Sequence, residues 1–406
     1  MYIKRTIESF IKQASDFFPV ILITGPRQVG KTTVLQHCEE NPRNYVSLDT
    51  LEYRNLARQD PALFLQRFSS PLLIDEIQYA PELFPYIKHI VDREQKNNMY
   101  WFTGSQQFEL MQNVTESLAG RVGILKLQGL SQQEKNNNAC IDPFLPSQDF
   151  ILQRAKTTKK ANITDIFYNI WQGAYPKLFN SDDKNWELFY ESYIQTYIER
   201  DIRSLANISN EMDFLRFIKA LAARTGQLLN YSEISRDIGL SLTTIKYWIS
   251  LLQTTGLIYL LQPYFNNLTK RIIKTPKVYF MDTGLAAYLT GWKTPEVIET
   301  GAMNGAFLET YILSEIIKSY WHNGKQANIF FYRDKDMKEI DIILEENNKL
   351  YPIEIKKKSN PNKNDIKNFN VLNKIGKQIA DGAVLCFANT HLPITENVNS
   401  IPISYL

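Results

Sequence analysis

The 406-residue sequence predicts an α/β protein of several domains. Three observations predict it. Short apolar runs near 20–24, 45–48, 71–75, 99–103 and 123–127 alternate with helical patterns, the signature of a mostly parallel sheet. A compact helix, turn and helix followed by an apolar strand lies within 229–275. Between Gly305 and Phe387 the order is helix, three strands, helix and strand. The predicted division is 1–135 for the parallel-sheet domain, 136–228 for a linker and helical region, 229–275 for the helix-turn-helix unit, and 276–406 for a C-terminal α/β domain. With 44% apolar residues, the chain can bury cores of that number and size.

The first apolar run, ending at Ile23, feeds directly into Gly25, Pro26, Arg27, Gln28, Val29, Gly30, Lys31, Thr32 and Thr33. This is G-x-x-x-x-G-K-[ST] between a strand and a helix, the context in which the motif cradles phosphate. Glycines let the backbone N–H groups point inward, Lys31 brings a charge to the β and γ phosphates of ATP, and the Thr32 hydroxyl can ligate Mg²⁺. The strand ending in Asp75 and Glu76 supplies the second half: Asp75 to hold Mg²⁺ through water, Glu76 to orient the attacking water. The run from Met99 ends in Thr103 and Ser105, which could sense the γ-phosphate or simply cap a helix. Arg121 is a candidate arginine finger in cis or in trans, or a surface residue after the helix-ending Gly120.

Bulk properties narrow the partners. A formal net charge of +3 is too small to draw nucleic acid by itself, so any such interaction must rest on local patches. No run approaches the roughly 18 apolar residues of a membrane span, and the N-terminal stretch lacks a signal-peptide core. Cys38, Cys140 and Cys386 are widely spaced and odd in number, which indicates neither a disulfide framework nor a zinc cluster and suits a reducing cytoplasm.

After the first domain, the polar stretch from Ser131 to Cys140, with Pro143 and Pro146 beyond, has linker composition. From Asp165 to Leu228 the pattern is helical, and the Tyr and Phe residues around Trp186–Ile202 read as packing residues rather than a base-stacking surface. Next come a helix from about Leu229 to Ile238 with Ser232 as a possible cap, a turn at Gly239, and a second helix from Leu242 to Leu252. The strand Gly256–Gln262 resembles a wing, with 264–274 as its return. This is a winged-helix pattern. In a DNA reader, Thr243, Thr244 and Lys246 would face the groove, and Lys270, Arg271 and Lys274 would touch phosphate. The same unit could instead serve protein–protein or interdomain contact.

The C-terminal order matches restriction-endonuclease-like folds. Hydrolysing a phosphodiester needs hard oxygen ligands for Mg²⁺, which Asp341 and Glu354 on adjacent strands can supply with Glu309 in support, and a cation beside the attacking water, for which Lys356 is placed. Glu339 could share the face of Asp341, or be a solvated strand-end charge. His322, at the turn after a helix, reads as a surface residue.

Taken together, Gly25–Thr33, Leu72–Glu76, Thr103–Ser105, Leu118–Arg121, Gly173–Pro176 and Tyr197–Ile202 resemble the prokaryotic AAA-type ATPases that carry a C-terminal domain of unknown function. The resemblance runs along the whole chain. It implies a P-loop AAA-like ATPase domain, a winged-helix middle and a C-terminal domain similar to the PD-(D/E)xK nucleases. It carries ATP binding onto Gly25–Thr32, metal and water roles onto Asp75 and Glu76, and nuclease roles onto Asp341, Glu354 and Lys356. Ile340 stands where the nuclease motif has proline. The expectation is a cytoplasmic ATP-hydrolysing protein whose nucleotide state controls a DNA-directed, Mg²⁺-dependent module, with a homo-oligomer as a further possibility. The alternative is a DNA-binding or signalling switch with a non-catalytic nuclease-like domain.

Overall fold

The computed structural model describes residues 2–39, 42–104, 114, 116–139, 142–179, 181–197, 211–265 and 275–406. The five apolar runs form strands β1 (Val20–Thr24), β2 (Asn44–Ser47), β3 (Leu72–Asp75), β4 (Tyr100–Gly104) and β5 (Val122–Lys126). They pair in parallel in the order β2-β3-β4-β1-β5. β1 and β4 are buried along their whole length, as continuous apolar runs covered on both faces must be. Because all five strands point the same way, the loop after β1 and the carboxylates after β3 emerge at one edge.

In the middle region, helix Trp186–Tyr197 buries Trp186, Phe189, Tyr190, Tyr193, Ile194 and Tyr197. Trp171 stacks on Trp186 with ring centroids 5.0 Å apart. These aromatics are packing residues, as their spacing indicates.

Helix Glu211–Ala222, β6 (Gln227–Leu228), helices Tyr231–Ile238 and Leu242–Thr254, β7 (Ile258–Pro263) and β8 (Lys277–Phe280) follow in order. Asn230, not Ser232, caps the first helix of the pair, accepting from Glu233 N. Gly239 ends it at φ 78°, and Ser241 caps the second. The return strand is Lys277–Phe280, beyond the expected limit at 275; Tyr264, expected on the return side, is instead buried in the core. Lys270, Arg271 and Lys274 lie outside the described residues, as do Ser105, Cys140 and the stretch from Ile198 to Ile202.

The sheet of β6, β7 and β8 and the C-terminal sheet are continuous, because β7 pairs in parallel with β9 (Ile329–Arg333). From there β10 (Glu339–Glu346) and β11 (Lys349–Ile355) form a hairpin. Its turn, Asn347 and Asn348, takes φ 50° and 61°, the left-handed pair a two-residue loop requires. β12 (Gln378–Ile379) pairs with β11 beside the main path. β13 (Gly382–Cys386) and β15 (Val398–Pro402) extend the sheet in parallel, and β14 (Leu392–Thr395) closes its edge. The segment expected as a helix from Asn364 to Ile379 is a 3₁₀ run, Lys363–Lys374, that stops before Gly376 at φ 76°. Its asparagines favour local turns over an α-helix.

One apolar cluster runs from Ile7 through the middle region to Leu406, so the four expected parts share a core. The expected linker is therefore no linker at its start. Ser131, Gln132, Gln133 and Glu134 are all buried, and helix Gln132–Lys135 is closed by a capping box between Ser131 and Glu134. Polar composition misleads here because each side chain has partners inside.

Candidate functional site

At the phosphate loop, a Cβ on Gly25 would stand 1.9 Å from the Leu127 carbonyl oxygen, so only glycine fits. Gln28 and Gly30 take φ 62° and 91°, turning the chain into helix Lys31–Cys38. Lys31 is buried, and its Nζ donates to the carbonyls of Gly25 and Pro26 at 3.1 and 2.9 Å, curling the loop about the ammonium. Thr32 Oγ1 donates to Asp75 Oδ1 at 2.5 Å, and Thr103 Oγ1 reaches the same oxygen at 2.5 Å. Thr103 also accepts from Glu76 N at 3.1 Å. The pair Thr32 and Asp75 is a set of hard oxygens that suits Mg²⁺, and the glycine-lined cradle suits a polyphosphate. Glu76 sits at φ 56° with its carboxylate held by the Gln78 amide. Non-glycine residues in that region cluster at functional sites.

Arg121 does not belong to this edge. It precedes β5, where Val20 N bonds to its carbonyl at the far end of the sheet, and its guanidinium forks onto Asp92 at 2.5 and 2.9 Å. Four strand residues, about 13 Å, separate that end from the loop. A finger acting in cis is excluded.

The second constellation lies one residue beyond the paired Ile342 and Ile353, where Asp341 and Glu354 face each other across the hairpin. Lys356 Nζ is 2.7 Å from Glu354 Oε2 and 3.8 Å from Asp341 Oδ2. Asp341 Oδ2 accepts from Ile355 N at 2.8 Å. Burial, then the neighbouring Asp341, pushes the Glu354 carboxyl up to about 9 against the pull of Lys356. The sequence-predicted trio is thus brought together. Glu309 is close enough for Asp341 to act on it, but its carboxylate is engaged by Lys277 at 2.9 Å and by the Tyr279 hydroxyl. Glu339 is bound to the same ammonium at 2.6 Å and to Arg333 at 3.4 Å. A buried lysine on β8, invisible to local spacing, thus engages Glu309, the expected supporting metal ligand. Among the described residues, no group of three or more His, Cys, Asp or Glu is arranged to hold a metal ion.

His322 is likewise not a surface residue. It is 1% exposed, with Nδ1 3.1 Å from Glu134 and Nε2 accepting from Gln128 N at 3.1 Å. Sequence reasoning also missed Arg5, Glu134 and Asp282. The last accepts from Ala174 N and the Tyr190 hydroxyl at 2.7 Å each, beside Gly173, where a Cβ would fall 2.1 Å from that hydroxyl. The Ser131-x-x-Glu134 spacing was the one available signal, a capping box within a polar run.

Residues 18–136 match the family model described as an AAA domain. Residues 163–296 match a domain of unknown function (DUF8612), and residues 304–406 another (DUF4143). An uncharacterized protein of Mycobacterium tuberculosis, Rv2008c, is 27% identical over 410 residues, covering 98% of this chain and 83% of its own length. An uncharacterized protein of Haemophilus influenzae is 23% identical over 365 residues, covering 84% of this chain and 82% of its own length. Among solved structures, the Walker-type ATPase PABY2304 of Pyrococcus abyssi aligns at TM-score 0.43 and 16% identity, over 71% of this chain and 96% of that one. At that TM-score the likeness carries no functional weight. The AAA-domain match and the loop geometry together support a nucleotide-binding, AAA-type ATPase module followed by domains of unknown function. Among the described residues, no helix is long and apolar enough to cross a membrane.

Proposed function

We propose that the chain is a cytoplasmic ATPase whose nucleotide state controls a DNA-directed C-terminal module with a Mg²⁺-dependent hydrolytic centre. ATP binds over Gly25–Thr33, with Lys31 on the phosphates, Asp75 and Thr32 as oxygen donors for Mg²⁺, and Glu76 orienting water. The unit spanning 211–280 acts as a winged helix whose second helix presents Thr243, Thr244 and Lys246 to DNA.

The observation that carries the hydrolytic reading is the convergence of Asp341, Glu354 and Lys356, with one ammonium beside both carboxyls. Asp341 and Glu354 would hold Mg²⁺, which neutralises charge on a phosphodiester when bound. Lys356 stabilises the anion that develops at the attacked phosphorus. Plasmid and single-stranded DNA incubated with Mg²⁺ or Mn²⁺, with and without ATP, test this. Cleavage lost in Lys356→Ala supports it, and its absence under every condition, with ATP hydrolysis intact, rejects it.

A second reading has its own support. Glu309 is engaged by Lys277, a feature that suits a nuclease-like domain that only binds. On that reading Lys356→Ala leaves the protein's function unaltered.

A further inference from the structure

Arg5 lies ahead of the sheet, is 3% exposed, and its guanidinium reaches three parts of the chain. Nη1 donates to Val29 O in the phosphate loop at 2.9 Å, and Nη2 donates to Gln128 O at 2.7 Å and Gly129 O at 3.3 Å. Nε is 3.1 Å from Glu134 Oε2, close in charge though not aligned as a hydrogen bond. The Val29 carbonyl and the Gly30 N–H belong to one planar trans peptide and point in opposite directions. Gripping the carbonyl from behind therefore aims the Gly30 N–H away from Arg5.

Glu134 also accepts from Thr6 N at 2.8 Å and Ser131 N at 2.9 Å, and meets His322 Nδ1 at 3.1 Å. Gln128 N can only donate, so His322 Nε2 is its acceptor, the ring is neutral, and Nδ1–H donates to Glu134. Burial lowers the affinity of His322 for a second proton, which agrees. Burial alone would raise the Glu134 carboxyl, but Arg5, His322 and the Ser131 N–H hold it well below the usual range. Arg5 and Glu134 thus form a buried charge pair beside a neutral imidazole. His322 follows helix Asn304–Trp321, whose Lys318 donates to Leu130 O at 3.1 Å and whose Glu315 accepts from Gln132 N at 2.8 Å. Thirteen residues back along the same helix, about 20 Å, stands Glu309 beside the acidic pair.

We propose that Arg5 is the positioning residue of the phosphate loop, and that Arg5, Glu134 and His322 form a buried relay through which the loop's nucleotide state reaches helix Asn304–Trp321 and the acidic pair beyond it. The relay rests on the reading of the loop as a nucleotide site.

The test uses the full chain, titrated calorimetrically with ATPγS and Mg²⁺, with ATP turnover and amide hydrogen exchange over 304–322 as readouts. In the wild type, ATPγS changes exchange in that segment. Arg5→Lys keeps a charge opposite Glu134 but cannot reach Val29 O and Gln128 O together; its KM for ATP rises about tenfold while kcat stays within about twofold. His322→Asn keeps a donor for Glu134 and loses the acceptor for Gln128 N; ATPγS affinity stays within about twofold, but the exchange response disappears. A wild-type KM in Arg5→Lys overturns the positioning role. A wild-type response in His322→Asn, or a wild type that binds ATPγS with 304–322 unchanged, overturns the relay. If a variant fails to fold, the wild-type exchange measurement decides alone. A wild type that does not bind ATPγS at all rejects the nucleotide reading itself, and the relay with it.

Discussion

The phosphate loop and the Asp341–Glu354 pair use the same ingredients: two carboxyl groups, a lysine and a strand end. At the loop, the lysine lies on backbone carbonyls and Asp75 is held by the hydroxyls of Thr32 and Thr103. The described partners there are neutral. In the C-terminal site the partners are themselves ionisable, so Lys356 is shared between two carboxyls and Lys277 draws Glu309 and Glu339 to itself. A site of neutral partners is set by a local motif; a site of charged partners is decided by whichever counter-ion the tertiary fold delivers.

That contrast can be broken at Lys277, whose side chain is 5% exposed. Lys277→Met leaves the partly buried Glu309 without its cation and Glu339 with Arg333 alone, and should cost up to about 3 kcal/mol in urea unfolding. Added Mn²⁺ should restore part of the loss, since Glu309 is then available to join Asp341 and Glu354. An unmoved urea midpoint would show that the lysine does not hold these carboxylates.

Lys31→Ala should lower ATP turnover about 100-fold or more, because a fixed cation at a developing phosphate charge is lost in a partly dry cradle. Phosphate release measures it, and turnover near the wild-type rate would remove the loop from the chemistry.

The Glu354 carboxyl is raised in the folded chain to about 9, so its stabilising contribution is complete below the ordinary carboxyl range and is lost as pH rises toward about 9. Between these limits the folded state binds the extra proton, and stability falls by up to about 1.4 kcal/mol per pH unit. Glu354→Gln should flatten that slope, gaining on the wild type as pH rises. Divalent-cation affinity at this site should increase over the same window, with proton release visible in buffers of different ionisation enthalpy. Parallel stability curves for the two proteins would contradict the shift.

The smallest effect is expected at the helix-turn-helix unit. Lys246→Ala should weaken duplex binding only about five-fold and relax sequence preference, as for one groove-facing contact.

Much of this was legible in the sequence where a local rule decides the outcome. Gly25 and Gly30 announce a loop in which a side chain would collide or a left-handed turn is required. Asn347 and Asn348 announce the hairpin that brings Asp341 and Glu354 face to face. What stayed hidden depends on contacts between distant segments. Ser131–Glu134 has the composition of a linker, yet it is buried because Arg5, His322 and Glu315 arrive from far along the chain to satisfy it. Glu309 has the spacing of a metal ligand, but Lys277 on a neighbouring strand takes it. Arg121 has the sequence context of a finger, but the parallel sheet places it at the wrong edge to act in cis.

On the proposed function, nucleotide at the loop governs what the C-terminal half does to DNA. Fluorescence anisotropy of a labelled duplex, with and without ATPγS and Mg²⁺, tests it most directly. Nucleotide should shift the wild-type DNA affinity by about tenfold, a coupling on the order of 1.4 kcal/mol, and leave Lys31→Ala unmoved. Equal affinity in both nucleotide states of the wild type, with ATPγS demonstrably bound, would contradict it.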